Sequence, residues 1–361
     1  MVILDPPPAP ASEGGREPIP PTSSDPPDGG LHRSRREWLR YLTKALALVP
    51  ALIPTLFLIM IVVALFSLAG FGVTFSLSPF RFVVHPPYNF GFGFFGSKWN
   101  PSPAPGYPAQ WGTLVFIVGS FLTAVPALFL SMAIGLGIAI ASTVYLPRFV
   151  SAWLDPFVDL LAGIPSVVYG IWAFVVIAPI FGTLLNPWAA AHLAFIPGFG
   201  GPPGQATGVG LPITIFVLTL MSLPITTLLI RDALRSIPRD LWESGLALGA
   251  TRWEVVRKIS IRHGSRGILS AAFLGFGRAF GETVAVAMVL GVNAAYPINF
   301  YGSTGTIAAT IFSLLDSAYG NSQFLAALSE MAIVLLAISL AVNIAGRRFI
   351  SSIISYEVPG L

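Results

Sequence analysis

The sequence predicts an all-α integral membrane protein with six transmembrane helices and both termini on the cytoplasmic side. Three observations predict it. Apolar residues make up 54% of the 361 and charged residues 10%, where soluble domains carry roughly 25% charged residues. The apolar residues gather into runs near the length of about 20 that crosses a hydrocarbon core of ~30 Å. The basic residues crowd onto alternate loops, as the positive-inside bias requires.

Residues 1–30 are rich in proline (Pro6-Pro7-Pro8, Pro10, Pro18, Pro20-Pro21, Pro26-Pro27). Such a stretch cannot bury apolar surface, so a disordered cytoplasmic tail is expected; a partner-binding polyproline segment is the alternative. It lacks the form of a signal peptide, which puts basic residues first and an apolar run after them. Residues 31–70 hold Arg33, Arg35, Arg36, Arg40 and Lys44 and then the first span, Ala45–Leu68. An outer loop takes 71–110. The core, 111–346, begins with a long apolar run over Trp111–Tyr145. Next comes Leu160–Ile230, which contains no Lys, Arg, Asp or Glu. Asn186-Pro187 and the Gly- and Pro-rich stretch Pro197–Gly210 are expected to break this run into spans near Ile164–Leu184 and Leu211–Ile230. The fifth span is Ile268–Val292 and the sixth Phe324–Gly346, with a cytoplasmic tail over 347–361.

Arg148, the basic residues of 231–266, and Arg347 and Arg348 fall on the same side as the basic N-terminal segment. Arg81 and Lys98 stand on the other side. The net charge of +4 therefore follows membrane topology and is no sign of nucleic-acid binding. Trp99, Tyr107, Trp111, Trp188 and Tyr301 are read as interface anchors of the outer loops. There is no cysteine, so no disulfide, thiolate metal site or thiol nucleophile exists. His32, His85, His192 and His263 lack metal-ligand spacing.

The segment 231–266 is a polar knob between two apolar spans. Pro238 opens a short helix, where its missing N–H does no harm; the helix runs to about Leu248. Gly249 suits a left-handed stop. Thr251-Arg252-Trp253-Glu254 has the form of a capping box. Leu241, Trp242, Leu246, Leu248 and Trp253 are too many to hide in so small a hairpin, which fits a docking surface for a partner. The alternative is a loop packed on its own bundle.

Span five carries Arg278 and Glu282, four residues apart and so on one helical face. Charges at such depth face a protein interior or a wet cavity. One reading is a self-satisfied pair that fixes helix packing. The other has Arg278 offering its planar fork of donors to an oxyanion, with Glu282 orienting it and the Thr283 hydroxyl beside them. The small residues Ala279, Gly281, Ala285 and Ala287 allow close approach of a second helix. Glu330 in span six is a further candidate for the pathway. Asp155 and Asp159 are expected near the membrane face, against Arg148 or the hairpin, and Asp316 in the last outer loop. No lysine stands in a GxxxxGK[ST] phosphate loop, so any ATP-driven work falls to a partner.

Three stretches resemble a known family. Glu243-Ser-Gly245, Gly249 and Ile259 are similar to the coupling (EAA) loop of type I ABC importer permeases, with Ser-Gly where that family has Ala-Ala. Gly277-Arg-Ala-Phe-Gly-Glu-Thr-Val-Ala-Val-Ala-Met-Val-Leu-Gly291 and Leu161-Ala-Gly-Ile-Pro-Ser-Val-Val-Tyr-Gly170 resemble phosphate permeases of the PstC type. The PstA sister family typically has Gly-Glu-Thr-Ala-Pro, where this chain has Val284-Ala285-Val286.

The resemblance implies a type I ABC importer permease fold in the bacterial inner membrane, with 71–110 a periplasmic loop. It implies a subunit that forms half of an alternating-access pathway for phosphate and has no catalytic or metal site of its own. ATP and Mg would be bound by the partner ATPase and no cofactor by this chain. The implied partners are a PstA-like permease, two PstB-like ATPases, a PstS-like periplasmic phosphate-binding protein and membrane lipid. Arg278, Glu282, Thr283, Ser166 and Pro165 would lie along the pathway, Pro165 otherwise being a plain kink. Leu241, Trp242, Glu243, Gly245, Gly249, Thr251 and Arg252 would couple to the ATPase. The rivals are a permease for sulfate, molybdate or phosphonate, a phosphate-sensing membrane subunit, and a membrane enzyme.

Overall fold

The computed structural model describes residues 52–69, 96–101, 109–202, 207–297 and 299–355. The polyproline segment, the basic residues before the first span, Arg81 and Tyr107 lie outside them. The chain divides into Met1–Met60 and Ile61–Leu361. Helix α1, Leu52–Leu68, is the described part of the first predicted span. Among the described residues four helices are long and apolar enough to cross a membrane, and one bent pair makes a fifth.

A short antiparallel ribbon, β1 (Trp99–Asn100) with β2 (Gln110–Trp111), precedes α2, Leu114–Tyr145. The last five residues of α2 form a π turn, and Leu146 before Pro147 is extended. Helix α3, Arg148–Ala162, was not expected. Its signal is Phe149, Trp153 and Phe157 at a spacing of four, which places them on one helical face; all three are exposed. Helix α4, Ser166–His192, corrects the expected break at Asn186-Pro187. Two π turns, Ala173–Ile177 and Phe181–Leu185, each stand just ahead of a proline, Pro179 and Pro187. The extra residue in each turn shifts the carbonyl ladder where the missing N–H would otherwise leave a gap. The helix therefore continues through both.

Helix α5, Leu211–Arg235, is the centre of the bundle: 72% of its apolar stretch is buried, against 28% for α4. Then come α6 (Arg239–Ala247) and α7, residues 252–263, whose middle turn is also of π type. The predicted fifth span is broken into α8 (Ser265–Phe280) and α9 (Val284–Leu290), bent by 62°. A short helix α10, Ile307–Ala318, occupies the last loop and includes Asp316, which the sequence reading left outside any helix. Thr306 opens α10 by accepting from the Ala309 N–H. Helix α11 runs over Ser322–Ser355.

Among the described residues four clusters of buried side chains hold the spans. One joins α2, α5, α8 and α9 through Ala124, Ala127, Leu218, Phe276, Phe280 and Leu290. Another closes the end away from the hairpin. There Trp99 and Trp111 meet edge to face at 5.5 Å, and both lie against Phe324. Trp111 and Tyr301 are thus buried, which corrects their reading as interface anchors. Of the described anchors Trp188 is the exposed one, stacked on His192.

Gly208 has φ +72°, and a Cβ there would overlap the carbonyl oxygen of Ala178 in the middle of α4. Gly208→Ala is expected to destabilise the bundle by roughly 3 kcal/mol, read as a lowered midpoint of thermal unfolding in detergent. An unchanged midpoint would show that this loop does not seat on α4.

Candidate functional site

The site is built where α8 stops. Gly281 ends the helix and Gly281–Thr283 turns the chain by 62° into α9. This corrects the i,i+4 pairing of Arg278 with Glu282, because the helix that would align them ends between them. The Glu282 carboxylate instead accepts from the Ala285 N–H at 3.4 Å, capping α9. The Thr283 hydroxyl donates to the Gly281 carbonyl at 3.2 Å.

Arg278 is half-buried. Its Nε donates to the Met221 carbonyl of α5 at 3.3 Å. Met221 lies three residues before Pro224, which has no N–H to give the carbonyl of Leu220 and so loosens the α5 ladder here. A carbonyl has two lone pairs and accepts the extra donor readily. Neither Nη of Arg278 has a hydrogen-bond partner among the described residues. One edge of the guanidinium is therefore anchored and the fork is left available.

Helix α4 brings the other predicted residues. Pro165 is its N-cap and Ser166 its first residue; Pro165 is exposed and Ser166 half-buried. One turn on, Tyr169 is buried in a cluster with Met221 and Ala285. Its hydroxyl donates to the Leu161 carbonyl at 3.0 Å. A Cβ on Gly170 would lie 3.0 Å from the Cα of Ala285, so small residues do allow α4 and α9 to touch, as the sequence implied. Tyr169 and the Met221 carbonyl were missed. Tyr169 was visible inside the quoted string, whereas a backbone acceptor leaves no sequence signal beyond its neighbouring proline. Glu330 is fully buried in α11.

The hairpin has the predicted helix, turn and helix. Gly249 has φ +83°. The Thr251 N–H and hydroxyl both donate to Glu254, at 2.9 and 3.0 Å, and the Glu254 N–H donates back to the hydroxyl. These donors, with Lys258 nearby, hold the Glu254 carboxyl below the usual range. Leu241, Leu246, Leu248 and Trp253 are exposed, as are Glu243 and Arg252. Trp242 is not: it packs on the bundle against a core that includes Ile230 and Leu234. Gly245 is buried against Val255 and Ile259, with no room for a Cβ unless the Ile259 tip moves. The two arms thus form one unit, fastened to the bundle through Trp242.

A buried guanidinium sits at this end. Arg231, 3% exposed, lies 2.8 Å from Asp155 and 3.1 Å from Asp159, and Arg235 is 2.6 Å from the other oxygen of Asp155. Asp155 and Asp159 therefore face the start of the 231–266 segment and tie α3 to the end of α5. With Arg278 in α8, Arg231 in α5 is a further cation within the long apolar helices.

A bent-span bundle with a rigid polar hairpin is a transport architecture, and comparison with known proteins agrees. The chain belongs to the family of binding-protein-dependent transport system inner membrane components, whose model matches residues 133–355. It is 36% identical over 283 residues to the phosphate transport system permease protein PstC 1 of Mycobacterium tuberculosis, covering 74% of this chain and 83% of that one. It is 36% identical over 237 residues to the phosphate transport system permease protein PstC of Mesorhizobium japonicum, covering 64% and 70%. Among solved structures, a bacterial ABC transporter involved in the import of the acidic polysaccharide alginate matches with a TM-score of 0.51 at 19% identity. That match covers 87% of this chain and 96% of that one, and it shows the shared fold.

Removing one partner of a buried ion pair leaves the other charge stranded. Arg231→Met is expected to cost about 3–5 kcal/mol. Asp159→Asn is expected to cost under about 1 kcal/mol, since that side chain is 47% exposed. Thermal unfolding of the two variants checks the difference; equal losses would remove Arg231 as the tie.

Proposed function

We infer that this chain is the PstC-type transmembrane permease subunit of an ATP-driven phosphate importer in the bacterial inner membrane. It spans the membrane six times, counting α1 as one span, with both termini in the cytoplasm. Arg33, Arg35, Arg36, Arg40 and Lys44 before α1, and Arg347 and Arg348 near the end, support that sidedness. The relatives' names support phosphate. A PstA-like permease supplies the other half of the pathway, two PstB-like ATPases bind ATP and Mg below, and a PstS-like protein delivers phosphate from the periplasm. The chain itself supplies no ATP-hydrolysing group.

The single observation that carries the transport reading is the half-satisfied guanidinium of Arg278 at a break in a span. A bare phosphate in hydrocarbon faces a solvation cost of order tens of kcal/mol, so its path needs fixed donors. Anchored at Nε, Arg278 presents two Nη groups to two phosphate oxygens without having to order its whole side chain at each passage. Pro165 and Ser166 at the start of α4 and Glu282 and Thr283 at the break are placed along the same path. Glu282, by capping α9, fixes the bend that sets Arg278 apart from a continuous helix.

Energy enters through the hairpin. Leu241, Glu243, Gly249, Thr251 and Arg252 face the ATPase, while Trp242 and Gly245 bind the hairpin to the bundle and to itself. ATP binding moves this unit, and the spans it is fastened to tilt from an outward to an inward opening.

Arg278→Gln, at normal membrane abundance, is expected to lower phosphate uptake by about 100-fold, since truncating a charged partner of a desolvated ion costs ~3 kcal/mol. Uptake at the normal rate would take Arg278 out of the pathway, and strong competition by sulfate in the intact transporter would overturn the choice of phosphate. Gly249→Val places a branched side chain at positive φ and is expected to uncouple ATP hydrolysis from uptake. Unchanged coupling, with the ATPase still co-purifying, would rule out the hairpin as the handle.

A further inference from the structure

The junction between hairpin and bundle contains a cleft of about 250 Å³, away from the substrate pathway just described. It is walled by the last turns of α2 and α5 and by both arms of the hairpin, with Thr143, Arg235, Arg239, Trp242 and Ser260 contributing. At about 30 Å³ per water in the liquid, it holds several waters or one tetrahedral oxyanion.

Its chemistry is one-sided. No carboxylate lines it. Arg235 gives one Nη to Asp155 at 2.6 Å behind the wall and is otherwise half-exposed. Arg239 is exposed and makes no ion pair among the described residues. The Thr143 proton is committed to the Ala139 carbonyl at 2.7 Å. Ser260 differs: its side chain is buried, with 2% of the residue exposed, and its hydroxyl has no hydrogen-bond partner. A buried hydroxyl with no acceptor is rare because its desolvation is not repaid. Here it stands in a wall beside two guanidinium groups.

We propose that this cleft is an anion site for a phosphate group, bound by Arg235 and Arg239 with the Ser260 hydroxyl as a further donor. Planar guanidinium forks match phosphate oxygens, and the hydroxyl gains the acceptor it lacks. The ligand is either free inorganic phosphate or the headgroup of an anionic lipid at the membrane face. Its place gives the site a role. It contacts the bundle through α2 and α5 and the handle through α6 and α7, so an occupied cleft stiffens the joint through which the hairpin drives the spans. The site regulates coupling and takes no part in the permeation step.

The test uses the full-length chain, with whatever subunits co-purify, in nanodiscs of phosphatidylcholine, with and without Arg278→Gln to silence the pathway. Thermal midpoints are followed against inorganic phosphate and against sodium chloride of equal ionic strength. Phosphate is expected to raise the midpoint in both backgrounds by mass action. Arg239→Gln and Ser260→Ala are each expected to weaken the apparent affinity by roughly tenfold. If the natural source is lipid, phosphatidylglycerol nanodiscs give the shift, free phosphate does not, and the same two substitutions remove it. Ser260→Ala changes no charge and keeps the test open if Arg239→Gln fails to fold. A shift lost with Arg278→Gln but kept with Arg239→Gln assigns all the phosphate to the pathway and overturns the cleft while leaving the pathway reading intact. A shift that chloride matches, or one that neither phosphate nor anionic lipid produces, overturns the cleft as well.

Discussion

A guanidinium inside an apolar bundle needs partners from the protein, and buried Arg231 and half-buried Arg278 meet that need in opposite ways. Arg231 is enclosed by two carboxylates, its neighbour Arg235 sharing one of them. Its charge is balanced and its geometry is fixed, which makes it a structural tie between α3 and α5. Arg278 has one backbone carbonyl and an open fork. The two sites thus differ in charge balance: Arg231 faces carboxylates and Arg278 a neutral carbonyl, which is why the proposed anion is assigned to Arg278.

The backbone around Arg278 sets this geometry. Pro224 loosens the α5 ladder beside the carbonyl that anchors the guanidinium. The stop at Gly281 keeps Glu282 from neutralising Arg278 and sends its carboxylate to cap α9. The π turns of α4 serve another purpose. They carry two prolines through a span without ending it, giving a helix with several points where the ladder is already shifted.

The hairpin is tightly held together. A glycine buried against Val255 and Ile259, a capping box and a left-handed Gly249 leave it few alternative conformations. Trp242, turned inward, makes the connection to the bundle, while Leu248 and Trp253 remain exposed. One small motif thus divides its apolar residues between its own bundle and the outside.

Composition, apolar run lengths and the placement of basic residues were enough to read a helical multi-pass membrane protein with a charged hairpin. The left-handed Gly249 and the capping box at Thr251 were legible because caps and turns depend on a few neighbouring residues. Arg278 was conspicuous as an ionised group within an apolar run, whatever its surroundings. Pairing was not legible. Spacing placed Glu282 beside Arg278, and spacing assumes an unbroken helix; the bend at Gly281, stabilised by packing of α4 against α9, overrode it. The ties between Asp155, Asp159 and Arg231, and the contact of Arg278 with a Met221 carbonyl 57 residues away, join elements distant in the chain. Their geometry exists only once the helices have packed, so the sequence determined which groups needed partners and the tertiary structure decided which partners they found.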